Sequence, residues 1–240
     1  MKGKNTMRAL LSGCMALALL TGCGAHNSAS PVTAPGAPVS AKTAALEAGA
    51  ATLQARPPIA AINTYLDGFH YYCGDRRGQM EAHHYVTILN EDVMQAVIFD
   101  GNQRDAKLMG VEYIISERLF KQLPAQEKQY WHSHRYEVKS GTLIAPGIPD
   151  AAEHALMSKI VNTYGKTWHT WHTDRDKTLP LGEPALMMGF TADGQLDSAL
   201  LRDRDRRFDM NTAEVREARR DIPTHPVAAG ADTCRAPHKM

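Results

Sequence analysis

Between positions 83 and 89 the chain reads His-His-Tyr-Val-Thr-Ile-Leu, with His84, Val86 and Ile88 alternating against His83, Tyr85, Thr87 and Leu89. A period of two marks a strand with unlike faces and predicts one here. Asn90-Glu91-Asp92 turns the chain, Gln95 to Phe99 makes a second strand, and Asp100-Gly101-Asn102 is a hairpin-type turn before a third strand from Leu108 to Ile115. Ser116 caps a helix reaching Leu123, and Pro124 opens another with Glu127 in its first turn, where a carboxylate suits the helix dipole. Tyr136 to Ile144 returns to strand. From Asp150 to Tyr164, Ala151, Ala155, Leu156, Ile160 and Val161 recur at helical spacing, with Gly165 as the stop. Thr167 to Thr173 and Ala185 to Phe190 read as strands, and 197–207 and 212–221 as helices. Upstream, Ala44 to Gln54 is an Ala-rich helix, Pro57-Pro58 breaks it, and Ile59 to Tyr65 reads as a second short helix. The pattern predicts a single α+β domain with a largely antiparallel sheet and flanking helices.

The N-terminus has a different pattern. Lys2, Lys4 and Arg8 precede an apolar run from Met15 that ends in Leu20-Thr21-Gly22-Cys23. Basic residues, a short apolar core and a small-residue cleavage site form a secretory signal, too short for a membrane-spanning helix. A Leu-x-Gly-Cys ending resembles the bacterial lipobox, which implies lipid on Cys23 as the new N-terminus and attachment to a membrane through it. Gly24 follows where Asp is absent, which resembles lipoproteins sorted to an outer membrane if the organism has one. Residues 23–42 are rich in Ala, Ser, Pro, Gly and Val and carry no aromatic residue, so they read as a tether that buries too little to fold. Such a tether would reach roughly 20–25 Å. The expected organisation is a signal over 1–22, the tether over 23–42, a folded domain over 43–222 and a polar tail over 223–240.

Composition narrows the function classes. The formal net charge is +1, and removing the three basic signal residues leaves a small acidic excess, which gives no basic surface for nucleic acid. A hydrophobic fraction of 43% suffices for a real core. After processing, Cys73 and Cys234 remain beside Cys23, and an oxidising compartment would allow them to pair.

Eleven histidines are present, and six fall in pairs: His83-His84, His132-x-His134 and His169-x-x-His172. Two imidazoles of a His-x-His strand share one face, a usual start for a divalent metal site, with Glu137 nearby. On a strand Glu137 has the wrong parity and joins them only through a bend. His169 and His172 also differ in parity, as do His83 and His84. A metal set would therefore draw on His84, His132, His134 and His169. The alternative is core histidines with satisfied N–H groups beside Trp131, Trp168 and Trp171. His132-x-His134 with Pro180-x-Gly182 is similar to a cupin pattern, but its Glu spacing departs and no His follows the turn. Ser133 lacks a Gly-x-Ser-x-Gly setting, and Gly165-Lys166-Thr167 lacks the first Gly of a phosphate loop.

Longer blocks carry a wider likeness. Glu81-Ala82-His83-His84-Tyr85, Gly110-Val111-Glu112-Tyr113-Ile114, Trp131-His132-Ser133-His134, Thr163-Tyr164-Gly165-Lys166-Thr167-Trp168-His169 and Leu179-Pro180-Leu181-Gly182 resemble the oil-body-associated protein family, over about residues 45–220. The resemblance implies lipid association, a lipid ligand among its partners, and no catalytic residues to carry over. Val86 stands where the family often has Cys and His172 where it often has Gln, so neither position is expected to hold an essential group. The leading expectation is a membrane-tethered, non-enzymatic lipoprotein whose domain meets lipid or envelope components. The alternative is a metal-dependent envelope enzyme using the His cluster.

Overall fold

The computed structural model describes residues 27–176 and 178–234; Cys23 and the signal lie outside them. Seven strands form one sheet: β1 (Thr64–Tyr72), β2 (Asp75–Ile88), β3 (Val93–Phe99), β4 (Leu108–Ser116), β5 (His132–Ser133), β6 (Thr163–His169) and β7 (Ala185–Met188). Eight helices accompany it: α1 (Ala41–Leu53), α2 (Pro57–Ala60), α3 (Glu117–Gln122), α4 (Ala125–Lys128), α5 (Arg135–Ser140), α6 (Asp150–Ile160), α7 (Ser198–Phe208) and α8 (Thr212–Ala218). All the pairings are antiparallel. The order β4-β3-β2-β1-β7-β6-β5 is closed by pairing of β4 with β6, so β1, β2, β3, β4, β6 and β7 make a barrel without free edges. β5 prolongs the β7 side of β6, where His132 and Ser133 pair with Gly165 and Tyr164.

Alternation along the strands sends one set of side chains into the barrel. Leu66, Val86, Met94, Ala96 and Ile114 fill one end and are covered by Val138 of α5 and by Met157, Ile160 and Val161 in and after α6. Tyr72, Met80, Ala82, Ile98 and Met187 fill the other, under Met109 and Trp171. Outside the wall, Phe69, Tyr71, Leu186 and Met188 pack with Phe190 and with Leu200 and Leu201 of α7. Phe120 of α3 stacks on Tyr164 at 4.0 Å.

Three expectations are corrected. β1 was expected to begin as helix over Ile59–Tyr65, yet the helix is only Pro57–Ala60 and Tyr65 lies in a strand. From Leu66 to Tyr72 every residue of β1 is buried, because barrel contents cover one face and α7 covers the other, so no alternation marks it. Tyr136 to Ile144 is not a strand. Arg135–Ser140 is α5, with Glu137 in its first turn, Lys139 in its last and Gly141 at φ 81° as its stop. Third, the segment expected to bury nothing is docked in part. Ser28 N donates to Asn102 Oδ1 at 2.8 Å, Asn102 N returns a bond to Ser28 O at 2.9 Å, and Ser30 Oγ donates to Asp100 Oδ2 at 2.6 Å. The turn between β3 and β4 offers polar groups that these small residues satisfy.

Residues 223–234 of the tail also pack against the barrel. Ala228 N donates to Tyr164 Oη at 2.8 Å, and Asp232 accepts from both Ser133 N and Ser133 Oγ at 2.7 Å. Cys73 and Cys234 are joined, with Cα atoms 5.4 Å apart.

Candidate metal centre in the barrel

Between the two apolar ends lies a polar layer. β1 supplies His70, β2 His84, β4 Glu112, β5 His132, and β6 Thr167 and His169; all are buried. The chain leaves β5 at His134, whose φ of −82° and ψ of −2° start α5. That bend, and not a strand, keeps His134 beside His132 and brings Glu137 within 4.0 Å of His132 Nε2. None of the imidazoles and carboxylates in this layer is more than 4% exposed.

Glu112 sits at the centre. Its Oε2 is 3.1 Å from His84 Nε2, and its Oε1 is 3.2 Å from His134 Nε2 and 3.6 Å from His132 Nε2. The other nitrogens of two of these rings fix their tautomers. His84 Nδ1 is 3.0 Å from the Ala82 carbonyl, which can only accept, so Nδ1 carries the proton. Thr163 Oγ1 donates its own proton to Ile160 O at 2.7 Å, so it accepts from His134 Nδ1 at 2.8 Å. In their neutral forms both rings therefore point bare Nε2 lone pairs at the carboxylate. Lone pair facing lone pair at about 3 Å repels unless a positive charge lies between them. Nδ1–H bonded to a protein oxygen, with Nε2 left free, is the usual setting of a metal-bound histidine.

The layer is also under-satisfied. Both ring nitrogens of His132, Nδ1 of His169, Oε2 of Glu137 and Oγ1 of Thr167 have no hydrogen-bond partner among the described residues. Each such buried group costs about 1–3 kcal/mol. Burial pushes the His132 and His169 rings down to about 3, and it pushes His70 well below the ordinary value with help from His84 and His169. Burial alone would raise Glu112, but when His134 and His84 carry their second proton, the hydrogen bonds and charge they offer outweigh it and keep Glu112 well below the usual carboxylate range. Burial, then the charges of Glu112 and Asp232, push Glu137 well above it. Three imidazoles held neutral, His70, His132 and His169, near one ionised carboxylate suit a cation.

Two glycines make room for the carboxylates. A Cβ on Gly165 would lie 1.9 Å from Glu112 Oε1 and 2.9 Å from the His132 ring, and one on Gly189 would lie 2.6 Å from Glu137 Oε2. Gly165→Ala should therefore displace Glu112 and destabilise the domain by about 1–3 kcal/mol through overpacking. Urea denaturation checks this, and a variant as stable as the parent would show that the wall is looser than described.

The structure thus brings together His84, His132, His134 and His169, and it adds His70, Glu112 and Glu137. His172 stays apart, bonded through Nδ1 to Asp176 Oδ2 at 2.8 Å. His83 faces outward, 2.7 Å from Tyr65 Oη and 3.1 Å from Asp67 Oδ2, in a network that includes Glu81 and Arg207. Glu112 was visible in the sequence as the lone acid on the inward parity of an apolar strand, between Gly110 and Ile114. His70 gave no such signal, since its strand carries no alternation.

The family model described as "Protein of unknown function (DUF1264)" matches residues 56–223. Oil body-associated protein 1A of Zea mays is 45% identical over 188 residues, covering 78% of this chain and 79% of that protein. Oil body-associated protein 1B of Arabidopsis thaliana is 38% identical over 201 residues, covering 82% and 83%. Oil body-associated protein 2A of Zea mays is 40% identical over 190 residues, covering 78% and 75%. No solved structure shows a significant match.

Proposed function

This chain belongs to the DUF1264 family together with the oil body-associated proteins, and from that premise we propose that its barrel is a divalent-metal-binding domain held at the cell envelope by lipid on Cys23. The observation that carries the metal reading is the pair of imidazoles, His84 and His134, with Nδ1 tied to protein oxygens and Nε2 directed at the two oxygens of Glu112. Two imidazolium ions on one carboxylate would leave net positive charge in the core, which is costly without further partners. A bound dication replaces both protons. Imidazole and carboxylate donors suit Zn²⁺, Fe²⁺, Mn²⁺, Co²⁺ or Ni²⁺ rather than soft-ligand metals. The test is metal analysis of purified full-length protein beside Glu112→Gln. Bound transition metal in the parent and its loss from a folded Glu112→Gln variant support the reading. A parent that neither contains nor takes up any of these ions sinks it.

Lipid association rests on separate observations. Leu108, Val111 and Tyr113 of β4 are about half exposed on the outside of the barrel, and the relatives are named for oil bodies. We read this face as one that meets a lipid surface, next to an anchor on Cys23 that would place the protein in an outer membrane where the organism has one. Cys23→Ala should abolish acyl labelling and release most of the protein from membranes, while the freed chain still floats with phospholipid vesicles and Tyr113→Glu reduces that flotation several-fold. Unchanged labelling and retention in Cys23→Ala would refute the anchor, and no flotation would refute the lipid face.

A further inference from the structure

The metal reading leaves open how many ions the layer takes, and here the geometry of Glu112 is informative. We propose that the barrel holds two divalent ions bridged by the Glu112 carboxylate; the inference rests on the metal reading above. The potential donors do not form one set. Within the layer they make two groups that share only Glu112, namely His70, His84 and Glu112, and Glu112, His132 and His134, while a third group, Asp67, Glu81 and His83, lies outside the barrel; within each, the donor atoms lie within 4.8 Å of one another. The carboxylate divides between them. Oε2 faces His84 at 3.1 Å, while Oε1 faces His134 at 3.2 Å and His132 at 3.6 Å.

An ion bonded to nitrogen and oxygen at about 2.0–2.2 Å spans donors no more than roughly 4.4 Å apart. Donors within 4.8 Å of one another need draw in by only about half an ångström for one ion to take either half, and that ion would leave the other half's histidines facing a carboxylate oxygen without a cation. Two ions satisfy both. A carboxylate that gives one oxygen to each ion suits a separation of about 3.5–4 Å, the spacing of two-metal sites.

Each half also has one further donor in reach. His169 Nε2 is 3.2 Å from His70 Nδ1, and its own Nδ1 has no partner among the described residues. Glu137 Oε2, likewise unpartnered, is 4.0 Å from His132 Nε2. Three donors per ion are thus in place, with His169 beside the first set and Glu137 beside the second. With metal bound, Glu137 would have to give up the proton that burial makes it hold before adding a second negative charge. Gly165 and Gly189 leave the space that Glu112 and Glu137 occupy.

The experiment uses full-length protein stripped of metal and titrated with Mn²⁺ alone, read by bound stoichiometry and by low-temperature electron paramagnetic resonance. Two ions per chain with an exchange-coupled spectrum are expected. His84→Ala should bind one ion and show the six-line spectrum of isolated Mn²⁺; if that variant does not fold, the parent protein decides alone. Saturation at one ion per chain overturns the two-ion inference and leaves the metal reading intact. Two ions without coupling overturn Glu112 as the bridge. No binding of Mn²⁺, Zn²⁺ or Fe²⁺ overturns both.

Discussion

Replacing Arg204 with alanine should destabilise the domain by about 3–5 kcal/mol, the usual cost of stripping one partner from a buried ion pair. Arg204 lies on α7 and is fully buried. Its Nη1 meets Asp67 Oδ1 at 3.3 Å and Thr142 O at 3.1 Å, and its Nη2 meets Gly141 O at 3.3 Å and Thr212 Oγ1 at 2.9 Å. The guanidinium thus ties β1, the end of α5, α7 and α8 to one point. Without it, Asp67 is a buried carboxylate that burial already pushes up despite Arg204 beside it, and two carbonyls lose their donor. For a domain of this size the midpoint should fall by about 6–20 °C. A combined Arg204→Met and Asp67→Leu change should recover part of the loss, because the buried Asp67 is then not left alone, while Asp205, 2.9 Å from Arg204 Nε, is partly exposed and keeps its bonds from Thr212. Thermal and urea denaturation of the parent and the two variants measure this, and a loss under about 1 kcal/mol in Arg204→Ala would mean that water or another residue replaces the guanidinium.

Added transition metal should raise the melting midpoint of the stripped protein by about 5–10 °C at a hundredfold excess over its dissociation constant, since a ligand of the folded state alone contributes about 2.7 kcal/mol there. Glu112→Gln should show no rise. The stripped protein should in addition be acid-sensitive in a defined window. His132 and His169 are held down to about 3 in the folded chain and return to the ordinary value near 6.5 when unfolded. Above that value both states leave the rings neutral and stability is at its full level. Below it the unfolded chain takes up protons that the folded chain refuses, so stability falls as pH drops from about 6.5 toward 3. Metal binding weakens in the same direction, because protons compete for the same nitrogens. Urea midpoints of stripped protein at about pH 7.5 and pH 5 test the sign, and equal midpoints would mean that these rings ionise freely in the fold.

Much of the sheet was legible because one wall of the barrel alternates. The opposite parity of His83 and His84 predicts that one ring enters the barrel and the other does not, and His84 is the one beside Glu112. The helices with a Ser, Asp or Asn cap, at Ser116, Asp197 and Asn211, lie where capping chemistry puts them. β1 was hidden by burial on both faces. α5 was hidden because Tyr136, Val138, Thr142 and Ile144 are good strand formers, while what selects helix is tertiary: Val138 must close the barrel end and Glu137 must turn inward. Barrel closure itself rests on β4 meeting β6, a contact between segments about fifty residues apart that local pattern does not encode. The His-x-His pair does lie together in the polar layer, but not as one strand face, since only His132 is on a strand and His134 starts a helix.

The docking of Ser28 on the turn between β3 and β4 changes what a lipid on Cys23 would do. A twenty-residue tether would let the barrel tumble above the bilayer in any orientation. With Ser28 fixed, only four residues separate Cys23 from the docked segment, a reach of about 18 Å over five residue steps at full extension. The barrel would then stand on the membrane by one chosen end, with the turn of Asp100 to Lys107 downward and Leu108 at the foot of its strand close to the headgroups. Anchoring so short acts as an orienting joint, and it would present the same side of every molecule to whatever lies across the envelope.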